Sequence, residues 1–149
     1  MLRTIKLLAV AMIISGVISC NKKDTPPDPN ITFTAFLNGA SEVPSTASTG
    51  SGSSTLTYNQ DTKIFTISTS YTGLTGTATA SHIHRGAVGT APASNIIFGF
   101  TNVNVSPIVY TSSAITAAQE ADLLAGLWYV NVHTVTYPAG EIRGQLVRQ

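Results

Sequence analysis

Residues 127–147 hold two alternating segments around a short break, and this pattern constrains the fold more than any other feature of the chain. In the first segment, residues 127–134, Trp128, Val130 and Val132 alternate with Tyr129, Asn131 and His133. A strand turns successive side chains to opposite faces, so a period of two marks a half-buried strand with one apolar and one polar face. The second segment, residues 141–147, does the same: Ile142, Gly144 and Leu146 fall on one side, Glu141, Arg143 and Gln145 on the other. Tyr-Pro-Ala-Gly at 137–140 turns the chain between them. Paired as a hairpin, the two strands bury one face in a core and display His133, Asn131, Glu141 and Arg143 together on the other.

The rest of the chain reads as more strands. Only 10% of its 149 residues are charged, where about a quarter is usual, so Ser, Thr and Asn must solubilise the surface. Many Thr and twelve Gly with little Lys or Glu suit short strands joined by turns, because β-branched residues pack well on a pleated surface. Further strands are expected at 32–37, 55–58, 63–71, 78–84 and 96–101, with a short one at 107–110. Asn-Gly at 38–39, Asn-Gln-Asp-Thr at 59–62 and Gly-Leu-Thr-Gly at 73–76 supply turns, Pro44 ends pairing, and 45–54 reads as a Ser/Gly-rich loop. Thr116-Ala-Ala-Gln119 matches a capping box and opens one short helix through Leu124 that stops at Gly126. Seven or eight strands at this spacing predict an all-β fold, an antiparallel β-sandwich or Greek-key barrel over residues 31–149 with one short helix. Its core should hold Phe33, Leu37, Phe65, Ile67, Ile83, Val130, Val132, Ile142 and Leu146.

Residues 1–19 read as an address. Arg3 and Lys6 precede an apolar run at 7–18 that is short for a bilayer span, and Val-Ile-Ser-Cys closes it at 17–20. The ending resembles the lipobox of bacterial lipoproteins, which implies cleavage before Cys20 and lipidation of its thiol. Cys20 is the single cysteine, so no internal disulfide competes for it. Removing residues 1–19 leaves six basic and seven acidic residues and a formal charge of −1. Residues 20–30 carry three prolines in four positions at 26–29 and form an extended tether. The expected location is the bacterial cell envelope, extracytoplasmic, at the outer membrane or in the periplasm, with the membrane reached through the lipid anchor. The net charge of +1 for the whole chain gives no basic footprint for nucleic acid.

Phe-Leu-Asn-Gly-Ala-Ser-Glu-Val-Pro at 36–44, Ser-His-Ile-His-Arg-Gly at 81–86, Trp-Tyr-Val-Asn-Val-His-Thr at 128–134 and Gly-Glu-Ile-Arg-Gly-Gln-Leu at 140–146 stand in this order. Together these blocks resemble the CHRD domain, first named from chordin and common in bacterial secreted proteins. The resemblance implies a β-sandwich shaped like immunoglobulin-like domains or Cu,Zn superoxide dismutase barrels, and no established activity for bacterial members. Arg85 departs from the short residue the family often has there, which puts contacts at that corner in question.

The motif with chemical content is His82-x-His84 with His133. Residues i and i+2 of a strand share a face, so His82 and His84 project together while Ile83 packs inward. Three imidazoles from two strands can bind copper or zinc and leave a position open, with loss of the ion expected as they protonate below about pH 6. The likeness to superoxide dismutase supports copper, since that family also draws ligands from a His-x-His strand. With three histidines there is no fourth imidazole to bridge two metals, so dismutase chemistry is not expected. The plainer reading is a satisfied polar cluster, in which Glu42 and Glu141 accept from the imidazoles, Arg143 neutralises them and Asn131 bonds across strands. Polar clusters are commoner than ligand sets, so the sequence favours a non-enzymatic binding or scaffolding module over a copper protein. Its ligand, whether protein, glycan or metal, is not read from the chain. Trp128, Tyr129 and Tyr137 could form an aromatic patch for a glycan or protein, although aromatics at this spacing usually belong to a core. Ser81 adjoins His82 but points to the opposite face, so no nucleophile and base pair up.

Overall fold

The computed structural model describes residues 26–91 and 96–149. The address at 1–19, Cys20 and most of the tether lie outside the described residues. Nine strands and one α-helix follow in the order β1 (Asn30–Asn38), β2 (Ser51–Asn59), β3 (Ile64–Thr72), β4 (Ala78–Arg85), β5 (Ile96–Gly99), β6 (Ile108–Thr111), α1 (Ala117–Leu124), β7 (Trp128–Thr134), β8 (Ile142–Gln145) and β9 (Val147–Arg148). A 3₁₀ turn, Gly39–Ser41, follows β1, capped by the Asn38 side chain, which accepts from the Ser41 N–H.

Every pairing is antiparallel, in the spatial order β5-β4-β7-β8-β1-β2-β3-β6, with β9 also on β1. The sheet curls so that its two ends meet across one core. Phe65 of β3 packs edge-on against Phe98 of β5 at 5.0 Å and Trp128 of β7 at 5.7 Å, and Phe98 reaches Tyr110 of β6 at 6.3 Å. This is the all-β sandwich expected from the alternation, and all nine expected core residues are buried. Register explains why: Phe33 lies opposite Leu56 and Leu56 opposite Ile67, so one inward row crosses three strands.

Local chemistry sets the joints. The Asn59 side-chain Oδ1 accepts from the N–H groups of Asp61 and Thr62, closing the β2–β3 hairpin. At α1 the Thr116 hydroxyl accepts from the Gln119 N–H at 3.2 Å while the Gln119 side chain accepts from the Thr116 N–H at 2.8 Å, and Gly126 stops the helix at φ +69°. Arg85 donates to Asp122 at 2.8 Å, tying the end of β4 to this helix.

Three expectations are corrected. β2 starts at Ser51, because Ser51–Ser54 is paired on both sides and the buried Ser54 hydroxyl bonds that of Thr69 at 2.8 Å. The last alternating segment splits at Leu146, whose N–H donates to the Trp128 carbonyl before Val147 joins β1. Most consequential, β7 is buried on both faces and not on one. Trp128 and Tyr129 are thus inside, and of the aromatic patch only Tyr137 keeps partial exposure.

Candidate metal centre

β4 and β7 lie side by side with Ala80 opposite His133, His82 opposite Asn131 and His84 opposite Tyr129. The pairing slips between Ala78 and Ala80, an irregularity of the kind that re-aims side chains. His82 and His84 share the outer face while Ile83 is fully buried in the core. His133 stands diagonally next to His82, and the ligand atoms of all three imidazoles lie within 4.8 Å of one another.

His82 Nδ1 sits 3.2 Å from His133 Nε2. Two nitrogens on one tetrahedral ion with bonds of about 2.0 Å stand roughly 3.3 Å apart, so this pair is already at ligand spacing. The other nitrogen of His133, Nδ1, is 3.0 Å from the Pro138 carbonyl. A carbonyl only accepts, so Nδ1 carries the proton and the neutral ring turns its Nε2 lone pair toward His82. Such an outer hydrogen bond is what orients a metal-binding imidazole. The His84 ring stacks on Tyr129 at 5.2 Å with 14° between planes, which fixes its orientation. On the side of β5, His82 faces Gly99, which has no side chain to cover it, and His82 stays partly exposed. The cluster is therefore held at His133 and His84 and partly exposed at His82.

Its electrostatics keep His82 and His133 uncharged. Burial, then the neighbouring His133 and His84, push His82 down to about 4. Burial also lowers His133 against the contrary pull of the Pro138 carbonyl. Neutral imidazoles are the ligand form, so the expected loss of a metal below about pH 6 moves to more acid conditions.

The polar residues expected to lock the histidines do something else. Glu141 turns away from them and accepts from Ser48 Oγ at 2.6 Å, Thr75 N at 2.7 Å, Thr75 Oγ1 at 2.8 Å and Thr134 Oγ1 at 2.5 Å. Burial alone would raise its pKa, but these donors outweigh it and hold the carboxyl below its ordinary value. Arg143 is buried with Nη1 and Nη2 donating to the carbonyls of Thr90 and Ala87, and its guanidinium lies 3.5 Å above the Tyr129 ring. Glu42 is buried against Gly140, and Asn131 is buried with an Oδ1 that meets no donor among the described residues. Glu141 is thus apart from the expected cluster, while Arg143 stays close enough to attract Glu42 and pairs across strands with Asn131. These residues do not saturate His82 or His133, whose hydrogen bonds run to each other and to Pro138.

The site residues that the sequence did not single out are Pro138 and Gly99, and it marks Tyr129 only as part of an aromatic patch. A turn that carries a carbonyl back beside the strand it left would have marked Pro138, but which carbonyl points inward depends on backbone angles that residue types do not specify.

Buried Glu42 and His82 oppose each other in acid. Burial raises Glu42 from 4.5 to about 7 despite the attraction of Arg143. A raised folded pKa gives stability that is complete below 4.5 and lost as pH rises through 7; the depressed His82 gives stability present above 6.5 and lost as pH falls through 4. The Glu42 effect is on the order of 3 kcal/mol at most, and that of the partly exposed His82 is smaller because solvent screens it. In urea unfolding of the metal-free protein between pH 4 and 8, Glu42→Gln is expected to remove the decline toward pH 8 and keep the decline toward pH 4. A curve indistinguishable from wild type would place Glu42 in water.

A family model described as the CHRD domain matches residues 33–146, more than half of the chain. No match was found among curated proteins or among solved structures.

Proposed function

The chain belongs to the CHRD-domain family, and on that premise we propose that it is a binding module whose ligand is a transition-metal ion held by His82, His84 and His133. The convergence of three imidazoles within 4.8 Å carries the reading. An all-imidazole set suits copper and zinc, and the Irving–Williams order puts Cu²⁺ first. Three protein ligands leave a fourth position beside Gly99 for water or for a partner's ligand, which suits storage, delivery or redox work at a cell surface. Superoxide dismutation is not part of the reading, because the second metal of that chemistry has no bridging imidazole here.

Calorimetric titration of the purified protein with Cu²⁺, and separately with Zn²⁺, tests this. One ion per chain, with Cu²⁺ tighter, is expected. Absence of heat at micromolar protein would leave a CHRD module that binds something else.

We further propose that Cys20 carries the lipid and anchors the domain at the outside of the bacterial envelope through the tether at 20–30. Cys20→Ala is expected to move the protein from the membrane fraction to the soluble one. Equal membrane retention of the variant would remove the anchor.

A further inference from the structure

Among the described residues, no carboxylate or thiolate gathers with His82, His84 and His133 closely enough to share an ion. Their ion would therefore receive no negative charge from its ligands. Glu141 is committed to Ser48, Thr75 and Thr134, and the charge fixed beside the centre is positive. His84 stacks on Tyr129 at 5.2 Å, and the guanidinium of Arg143 lies 3.5 Å from the centroid of the same ring. Arg143 is 2% exposed and donates to the neutral carbonyls of Thr90 and Ala87. Glu42 attracts it, but burial raises Glu42 itself to about 7, so at neutral pH the carboxyl offsets the guanidinium only in part.

We propose that the three-histidine centre is selective for the cuprous ion, holding Cu⁺ in preference to Cu²⁺ because its ligands are neutral and the buried Arg143 adds a fixed positive charge. This rests on the metal reading above and names the valence of the ion. The cost of taking an ion out of water grows with the square of its charge, so at equal radius a dication loses about four times the hydration energy of a monocation. Buried, uncharged imidazoles return none of that difference as charge neutralisation. Repulsion from the guanidinium also doubles when the ion carries two charges. Coordination points the same way. Cu⁺ has a filled d shell and is satisfied by three nitrogens, whereas Cu²⁺ prefers a tetragonal set of at least four donors. The position beside Gly99 then stays open on the cuprous ion, where a donor from an accepting protein can reach it.

Two competition titrations on the purified full-length protein test the proposal. Bicinchoninate, with ascorbate as reductant and oxygen excluded, gives the Cu⁺ affinity, and nitrilotriacetate gives that for Cu²⁺. Cu⁺ is expected to bind at least about 100-fold more tightly, which places the couple of the bound ion about 120 mV above that of the free ion. Both titrations are repeated at pH 8, where Glu42 is mostly ionised, on two variants that move the charge in opposite directions. Arg143→Met removes the guanidinium and is expected to narrow the preference at least about threefold; Glu42→Gln keeps the side chain's shape, removes the offsetting charge and is expected to widen it. The second variant decides the sign even where the first does not fold. Cu²⁺ bound as tightly as Cu⁺ overturns the cuprous preference and leaves the three-histidine centre standing. Failure to bind copper in either valence overturns the centre and the preference with it, and a preference that Glu42→Gln leaves unmoved or narrows overturns the part given to Arg143.

Discussion

His133→Ala is expected to lower Cu²⁺ affinity by at least about 100-fold while the chain still folds. Loss of an outer hydrogen bond to a ligand costs 10–100-fold in typical metal sites, and this change removes a ligand outright. It takes away Nε2, the atom 3.2 Å from His82 Nδ1, and leaves the Pro138 carbonyl without its donor. A second readout accompanies the first. His82 is held low partly by the charge it would share with His133, so its pKa in the metal-free variant should climb from about 4 toward 6.5, as followed by its ring-proton shifts in NMR. Unchanged Cu²⁺ affinity in a folded variant would move the ion away from these strands.

Glu141→Gln is expected to do the reverse, destabilising the fold by about 2–4 kcal/mol and leaving metal affinity as it was. The carboxylate is fully buried and receives four hydrogen bonds from Ser48, Thr75 and Thr134. It joins the loop before β2, the turn before β4 and the end of β7 at a single point. An amide presents its own N–H groups to donors on one side, so at least one of those donors loses its acceptor in a place water does not reach. Urea midpoints at pH 7 measure the loss. A variant as stable as wild type would mean that Glu141 is solvated, and a variant that lost the metal would return it to the histidine cluster.

The contrast between these residues shows what the sequence carries. Alternation alone placed His133, Asn131, Glu141 and Arg143 on one face. Strand β8 begins only at Ile142, however, and Gly140 at φ +133° swings the preceding chain aside, so Glu141 meets Thr134 instead of His133. A period of two gives the parity of a side chain and not where the strand starts. The same limit explains the burial of Tyr129 and His133. Periodicity marks a polar face, whereas its cover comes from Arg143 and His84, which flank Tyr129 from the strands on either side. What was legible was local or set by strand pairing: the inward rows through Phe33, Leu56 and Ile67, the capping box at Thr116 and the shared face of His82 and His84. The meeting of His133 with His82 needed the β4–β7 pairing, and resemblance to a family supplied that where spacing did not.

X-ray absorption at the copper edge, on protein loaded with one equivalent of Cu²⁺ and freed of excess metal, tests the metal centre most directly. The expected spectrum contains three imidazole nitrogens at about 2.0 Å and one further light ligand. Protein that retains no copper after desalting, or copper bound to a single imidazole, would contradict a site built from His82, His84 and His133.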